Sequence, residues 1–179
     1  PSEKLMLFGP GADSGTFDYF TEAVVGRAKS SRVDFTASED DNTLVQGVEN
    51  NRTALGYFGF AYYVAHQDKM RAVPIDGGGG PVSPSIENVI NGTYTPLARP
   101  LFVYVKESSM DRPEIKEFVE FMLTKSSDLV KEVGYVPLPA AAYQLAWKHF
   151  QNRRLGSVFG GVPQVGITID QLLAMEAKL

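Results

Sequence analysis

Apolar and polar residues along this chain fall into runs whose period changes, and the changes mark the predicted elements. Leu5 to Phe8 is an unbroken apolar run closed by Gly9-Pro10-Gly11, and it predicts a short buried strand. From Thr16 the spacing becomes helical, with Phe17, Phe20 and Val24 at i, i+3 and i+7 and Gly26 as the stop. The stretch from Ser30 to Asn42 is polar and loop-like, with a short strand expected at Val33 to Thr36. Asp41 or Asn42 then caps a second helix carrying Leu44, Val45 and Val48. Ala54 to Val64 predicts a strand entering a helix or loop, and Met70 to Ile75 a strand with an edge proline at Pro74. The consecutive glycines Gly77 to Gly80 cannot form a packed element and predict a flexible surface loop.

Beyond Pro84 the pattern turns mostly helical. Ile86, Val89 and Ile90 share one helical face, and Arg99 to Lys106 (RPLFVYVK) is the strongest strand signal in the chain. Pro113 opens a helix whose apolar stripe is Ile115, Phe118, Val119 and Met122. Ser126 or Ser127 caps a further helix carrying Leu129, Val130 and Val133, closed by Gly134. A helix from about Ala140 carries Tyr143, Trp147 and Phe150. After a glycine-rich connection, Thr168 and Gln171 match a capping box for a last helix that buries Leu172 and Leu173. Strands and helices alternate first and helices dominate later, which favours an α/β fold with a mixed sheet and a hinge-like break near Leu97 to Tyr104.

Composition narrows the chemistry. With 179 residues and 44% hydrophobic content, the chain has enough material for a sizeable core, in one domain or two lobes. A net charge of -4 and the lack of a basic run exclude a nucleic-acid binder. The absence of cysteine excludes disulfides, thiolate chemistry and the commonest structural zinc sites. Only His66 and His149 are present, too little for a histidine-rich metal site, and both are expected to be structural or solvent-exposed. No apolar stretch approaches the ~18 residues of a membrane span. Since the chain opens on Pro1 rather than Met, a processed or partial form is expected.

Two clusters carry candidate chemistry. Asp13-Ser14-Gly15-Thr16 stands where a strand ends and a helix begins. Helix N-termini hold backbone N–H groups without intrahelical partners and partial positive charge, so an oxyanion docks there without a full cation. Ser14 and Thr16 add hydroxyl donors, and Gly15 permits close approach. The competing reading is a plain helix cap. Gly9-Pro10-Gly11-Ala12-Asp13-Ser14 is an imperfect dinucleotide fingerprint, and neither a Walker A loop nor a G-x-S-x-G elbow is present. The second cluster is Glu39, Asp40 and Asp41, followed by Asn42. One of these carboxylates is placed to accept the proton of a protonated phosphate; the alternative is a solvated loop and cap. Adjacent carboxylates also suit magnesium, although their spacing does not require it, and no metal or cofactor is expected.

The motifs FGPGADSGTFDYFTEAV, FTASEDDNTLVQGV, ALGYFGFAYY, NGTYTPLARPLFVYV and VGYVPLP, in this order, closely resemble the phosphate-specific substrate-binding proteins of bacterial ABC transporters, the PstS family, in its cyanobacterial-like branch. The resemblance implies a class II periplasmic-binding-protein fold: two α/β lobes, a hinge of crossing strands and phosphate in the cleft. It implies phosphate contacts from Ser14, Gly15 and Thr16, with Asp13 at the motif's edge capping the helix or touching ligand. Asp41, Asn42 and Arg32 are further candidates. The family often carries an arginine four residues before the serine, where this chain has Pro10, and Arg32 is one candidate to replace it. No match exists to the family's first-lobe segment, so the chain resembles its C-terminal portion. Residues 1–98 are expected to form most of the phosphate-binding second lobe. Residues 99–179 are expected to be the return strand and helices that pack on a first lobe. The resemblance also implies a periplasmic or cell-envelope lipoprotein that delivers inorganic phosphate to ABC permease subunits, here with half the site. The orphaned apolar faces favour a homodimer or partial disorder. Two other readings are an enzyme acting on a phosphorylated small molecule, with Ser14 or an aspartate of the acidic cluster as nucleophile, and a ligand-free scaffold or signalling module.

Overall fold

The computed structural model describes residues 2–162 and 164–178. The chain divides into two compact units, one up to Pro84 and one from Ser85 onward.

The first unit is an α/β layer structure. Strand β1 (Met6–Pro10) runs through the Gly9-Pro10 pair that the sequence places beyond its end. It leads into α1 (Gly15–Val25), which stops where Gly26 adopts the left-handed conformation at φ 80°. Next come β2 (Thr36–Ser38), α2 (Asp41–Glu49), β3 (Ala54–Gly56) and α3 (Phe60–Val64). The three strands form a parallel sheet in the order β2-β1-β3. The registers pair Phe8 with Thr36 on one side and with Gly56 on the other.

Successive right-handed crossovers step from β1 to β2 and then back over β1 to β3, which puts α1 and α2 on opposite faces. Side chains agree with this arrangement. A Cβ on Gly47 of α2 would lie 2.2 Å from the ring of Phe8, so the helix backbone rests directly on that ring. On the opposite face, Tyr57 lies against Gly9 and stacks on Phe20 of α1 at 3.8 Å between ring centroids. Phe8, Phe17, Leu44 and Val45 are the buried apolar core of this unit.

A hairpin of β4 (Ile75–Asp76) and β5 (Pro81–Val82) closes the first unit, with the glycine run as its turn. The Asp76 carboxylate accepts N–H bonds from Gly78 at 2.8 Å and Gly80 at 3.0 Å, and both glycines sit at positive φ. The strand expected over Met70 to Ile75 therefore shrinks to its last residue, since Met70 to Pro74 has no ladder partner. Likewise β2 begins at Thr36, where the Val33 to Thr36 expectation ends, and leaves Val33 95% exposed.

The second unit contains α4 (Ile86–Ile90), a short 3-10 turn at Glu107–Ser109, α5 (Pro113–Thr124), α6 (Ser127–Glu132), α7 (Ala140–Gln151) and α8 (Ile169–Glu176). Helix α5 packs on α7, and the buried apolar residues are Val119, Ala142 and Leu172. The capping box of α8 is formed: Gln171 N–H donates to Thr168 Oγ1 at 3.2 Å, and Thr168 N–H to Gln171 Oε1 at 2.9 Å. Ser126 stands at the α6 N-cap, but its hydroxyl donates back to the Met122 carbonyl instead of capping. Each histidine faces a carboxylate: His66 Nδ1 lies 3.1 Å from Glu49 Oε2 and His149 Nδ1 lies 3.0 Å from Glu176 Oε2. The strongest strand signal is corrected. Arg99 to Lys106 forms no strand in this structure, and Leu101, Phe102, Val103 and Tyr104 are all exposed.

Candidate functional site

The carboxyl ends of β1 and β2 lie side by side, Pro10 opposite Ser38, and each feeds a helix start. In open parallel sheets this edge is where ligands bind. The two helix starts differ in chemistry.

At the first, Gly11 N–H donates to the Ser38 carbonyl at 3.1 Å and Ser14 N–H to the Gly11 carbonyl at 3.1 Å, which closes a tight turn from Gly11 to Ser14. A Cβ on Gly11 would lie 1.8 Å from Glu39 Oε1, so any side chain there would displace that carboxylate from the turn. That same carboxylate accepts the Asp13 N–H at 3.3 Å. Ser14, at φ −85° and ψ 127°, is the N-cap of α1, and its Oγ accepts the Thr16 N–H at 3.2 Å. The cap is neutral, and the bond is at the long end for N–H to oxygen. Helix geometry leaves the Gly15 and Phe17 N–H groups outside the i→i−4 ladder. Gly15 is exposed, while Ser14 and Thr16 are half-buried.

At the second, Asp40 rather than Asp41 or Asn42 is the N-cap of α2. Asp40 Oδ1 accepts both the backbone N–H of Asn42 at 3.0 Å and its side-chain amide at 3.1 Å. Thr43 Oγ1 lies 3.4 Å from Asp40 Oδ2. A carboxylate therefore already occupies the positive end of α2. Asp41 is half-buried, and burial together with the neighbouring Asp40 charge raises its carboxyl above the ordinary range.

Three comparisons bear on this arrangement. "Protein SphX" of Synechococcus elongatus is 47% identical over 177 residues, 98% of this chain and 52% of that protein. "Phosphate-binding protein PstS" of Staphylococcus haemolyticus is 35% identical over 146 residues, 80% of this chain and 45% of that protein. The crystal structure described as "a possible phosphate binding protein" from Planctomyces limnophilus superposes with a TM-score of 0.68 at 42% identity, over 87% of this chain and 56% of that one. Residues 1–126 match the PBP superfamily domain. The chain belongs to the PBP superfamily. The expected periplasmic-binding-protein-like α/β fold holds, and this PBP chain spans about half the length of the relatives it matches.

Within the PBP chain, Asp13, Ser14, Gly15 and Thr16 come together in one turn and helix start. The helix cap is Ser14, not Asp13. Asp41 and Asn42 stand at the start of α2 on the same sheet edge. Arg32 is exposed and forms a two-pronged pair with Asp34, at 2.8 Å and 2.6 Å, which holds the Asp34 carboxyl at about 2. Its recorded polar partner is that carboxylate, so the structure does not bring it to the turn. Pro10 is fully buried and supplies no cation at that position.

Sequence reasoning missed three neighbours of the turn. Glu39 was grouped with its acidic neighbours, although its contacts are with Gly11 and Asp13. Lys29 Nζ reaches the Ala12 carbonyl at 3.3 Å. Tyr57, beside Gly9, has a buried hydroxyl without a hydrogen bond among the described residues, and burial pushes it up to about 12. Only Tyr57 left a signal, as an aromatic directly after a strand. The other two depend on backbone turns that residue spacing does not encode. Among the described residues no group of acidic, histidine or cysteine side chains is arranged to hold a metal ion.

Proposed function

We propose that this chain is a phosphate-binding lobe, with its returning C-terminal segment, of a solute receptor that delivers inorganic phosphate to an ABC-type permease. The observation that carries the reading is the contrast between the two helix starts. A neutral hydroxyl caps α1, whose first turn offers hydroxyl and N–H donors at the ligand-binding sheet edge. A carboxylate seals α2. Phosphate is bound at Ser14, Gly15 and Thr16, with Asp13 at the rim. Asp41, whose carboxyl is raised, stands near as a proton acceptor for a protonated phosphate, with Asn42 beside it. The names of the relatives from Staphylococcus and Planctomyces support phosphate as the ligand.

In this reading residues 1–98 form the lobe, and residues 99–179 pack on a first lobe supplied by the other half of the relatives' length. The protein works in the periplasm or cell envelope and binds its ligand without turning it over. One lobe satisfies only part of the anion and leaves the rest in water, where charge-assisted hydrogen bonds are weak. The expected Kd of the chain alone is on the order of millimolar. Exposed apolar faces in the second unit favour a homodimer when no lobe covers them.

Calorimetric titration of inorganic phosphate, with sulfate as control and the Ser14→Ala/Thr16→Ala double variant in parallel, tests the reading. Phosphate heat lost in the double variant supports it. Equal heat in both proteins overturns the site, and release of phosphate from a phosphorylated small molecule, lost in Ser14→Ala, would favour an enzyme instead.

A further inference from the structure

Building on the phosphate reading, we infer that Lys29 is a positioning cation for the Ser14–Thr16 site and supplies the positive charge that Pro10 and Arg32 do not. Lys29 follows α1 and holds a left-handed backbone at φ 63°, a conformation that glycine adopts freely and lysine does not. Its backbone N–H donates to Thr21 Oγ1 at 2.8 Å. Thr21 is 2% exposed and anchored in turn, donating to the Phe17 carbonyl at 2.8 Å. This anchor folds the chain back along α1, so the lysine side chain runs toward the start of the helix rather than past its end. There Nζ donates to the Ala12 carbonyl at 3.3 Å and lies 3.8 Å from Asp18 Oδ1.

Ala12 stands inside the Gly11 to Ser14 turn, two residues before the cap. The turn is thus gripped from two sides, by the Lys29 ammonium at Ala12 and by the Glu39 carboxylate at Asp13. Adding the 3.3 Å contact at the Ala12 carbonyl to two Cα–Cα steps of at most about 7.6 Å puts the ammonium within roughly 13 Å of the cap, well inside the ~30 Å Debye length of low salt. Its field, partly offset by Asp18 at 3.8 Å, opposes that of the carboxylates grouped on this edge, Asp13, Glu39, Asp40 and Asp41. An unfavourable backbone held in place beside a binding turn fits strain retained for function.

The test uses the 179-residue chain, inorganic phosphate as probe and the amide NMR shifts of Gly15 and Thr16 as readout, at low and high salt. Lys29→Gly relieves the left-handed strain and removes the ammonium together. We expect its melting temperature to rise while phosphate binds about three- to tenfold more weakly at low salt, with the gap closing at high salt. Lys29→Met is expected to weaken binding in the same salt-dependent way, and Lys29→Arg to stay within about twofold of the parent. A purely structural role couples affinity loss to lost stability and is insensitive to salt, so that pattern overturns the assignment. So does parent-like binding in Lys29→Gly while the parent itself shows phosphate-dependent shifts. Absence of those shifts in the parent overturns the phosphate reading and the Lys29 role with it.

Discussion

Ser14 serves two ends with one hydroxyl, and substitutions separate them. As N-cap it accepts the Thr16 N–H, and Ser14→Ala is expected to cost about 1 kcal/mol in denaturant unfolding. Aspartate caps as well as serine, so Ser14→Asp is expected to keep the parent stability. It would still abolish phosphate binding, because a fixed carboxylate then fills the helix start as Asp40 fills that of α2. Phosphate binding retained in Ser14→Asp would place the ligand elsewhere. Asp41 gives a prediction in pH. Its carboxyl is raised by burial and by Asp40, so the native state holds this proton more tightly than the unfolded chain. The stability linked to that proton is full below the ordinary aspartate value and is lost as pH rises through the raised one. Asp41→Asn is therefore expected to melt higher than the parent at neutral pH, with the difference shrinking toward pH 4; an unchanged difference across that range would contradict the assignment. At this scale the Ser-Gly-Thr donors were legible because a cap is a local pattern. The partners of the turn were not: Lys29 arrives through a left-handed residue and Glu39 through a strand neighbour.

The elements hold the site through one tight junction between α2 and β1. Gly47 sits mid-helix, where glycine costs about 1 kcal/mol relative to alanine, yet a Cβ there would lie 2.2 Å from Phe8. Overpacking of this kind costs typically 1–3 kcal/mol, so Gly47→Ala is expected to destabilise despite its better helix propensity. Phe8→Leu in the Gly47→Ala background is expected to recover stability, although the same change alone weakens the protein. A double-mutant cycle by urea unfolding reads this coupling, and additivity of the two changes would refute the contact. Elements whose signal is local were readable in advance: α1 between Ser14 and Gly26, α5 from Pro113 and the capping box of α8. Strands were less so, because a ladder needs a partner that periodicity does not name. Val33 has β-forming character but no ladder, while Ala37, in a polar stretch, pairs with Gly9. Met70 to Pro74 likewise had apolar character and no ladder partner.

At the scale of the whole molecule, the stretch with the strongest strand character lies exposed among the described residues. Leu101 is 61% exposed, Val103 60% and Tyr104 83%, and residues 101–106 form no ladder. β-branched and aromatic residues fit a pleated, covered surface, and water gives them neither hydrogen-bond order nor burial. The two SphX relatives are about twice as long as this chain and match nearly all of it, which leaves about half of their length unmatched. If residues 99–106 are the return strand of the proposed receptor, their amides should exchange with solvent rapidly in the chain alone. Joining the chain to the unmatched half of the Synechococcus elongatus relative should slow exchange at Leu101 to Tyr104 by about 100-fold or more, as the ladder forms. Phosphate affinity should rise in the same joined protein, because the added first lobe removes the anion from water. A concentration-dependent dimer that protects the same amides in the chain alone would mean that a second copy covers this face when no lobe does. Slow exchange in the dilute monomer would show that the segment already has a partner, and would refute the return-strand assignment.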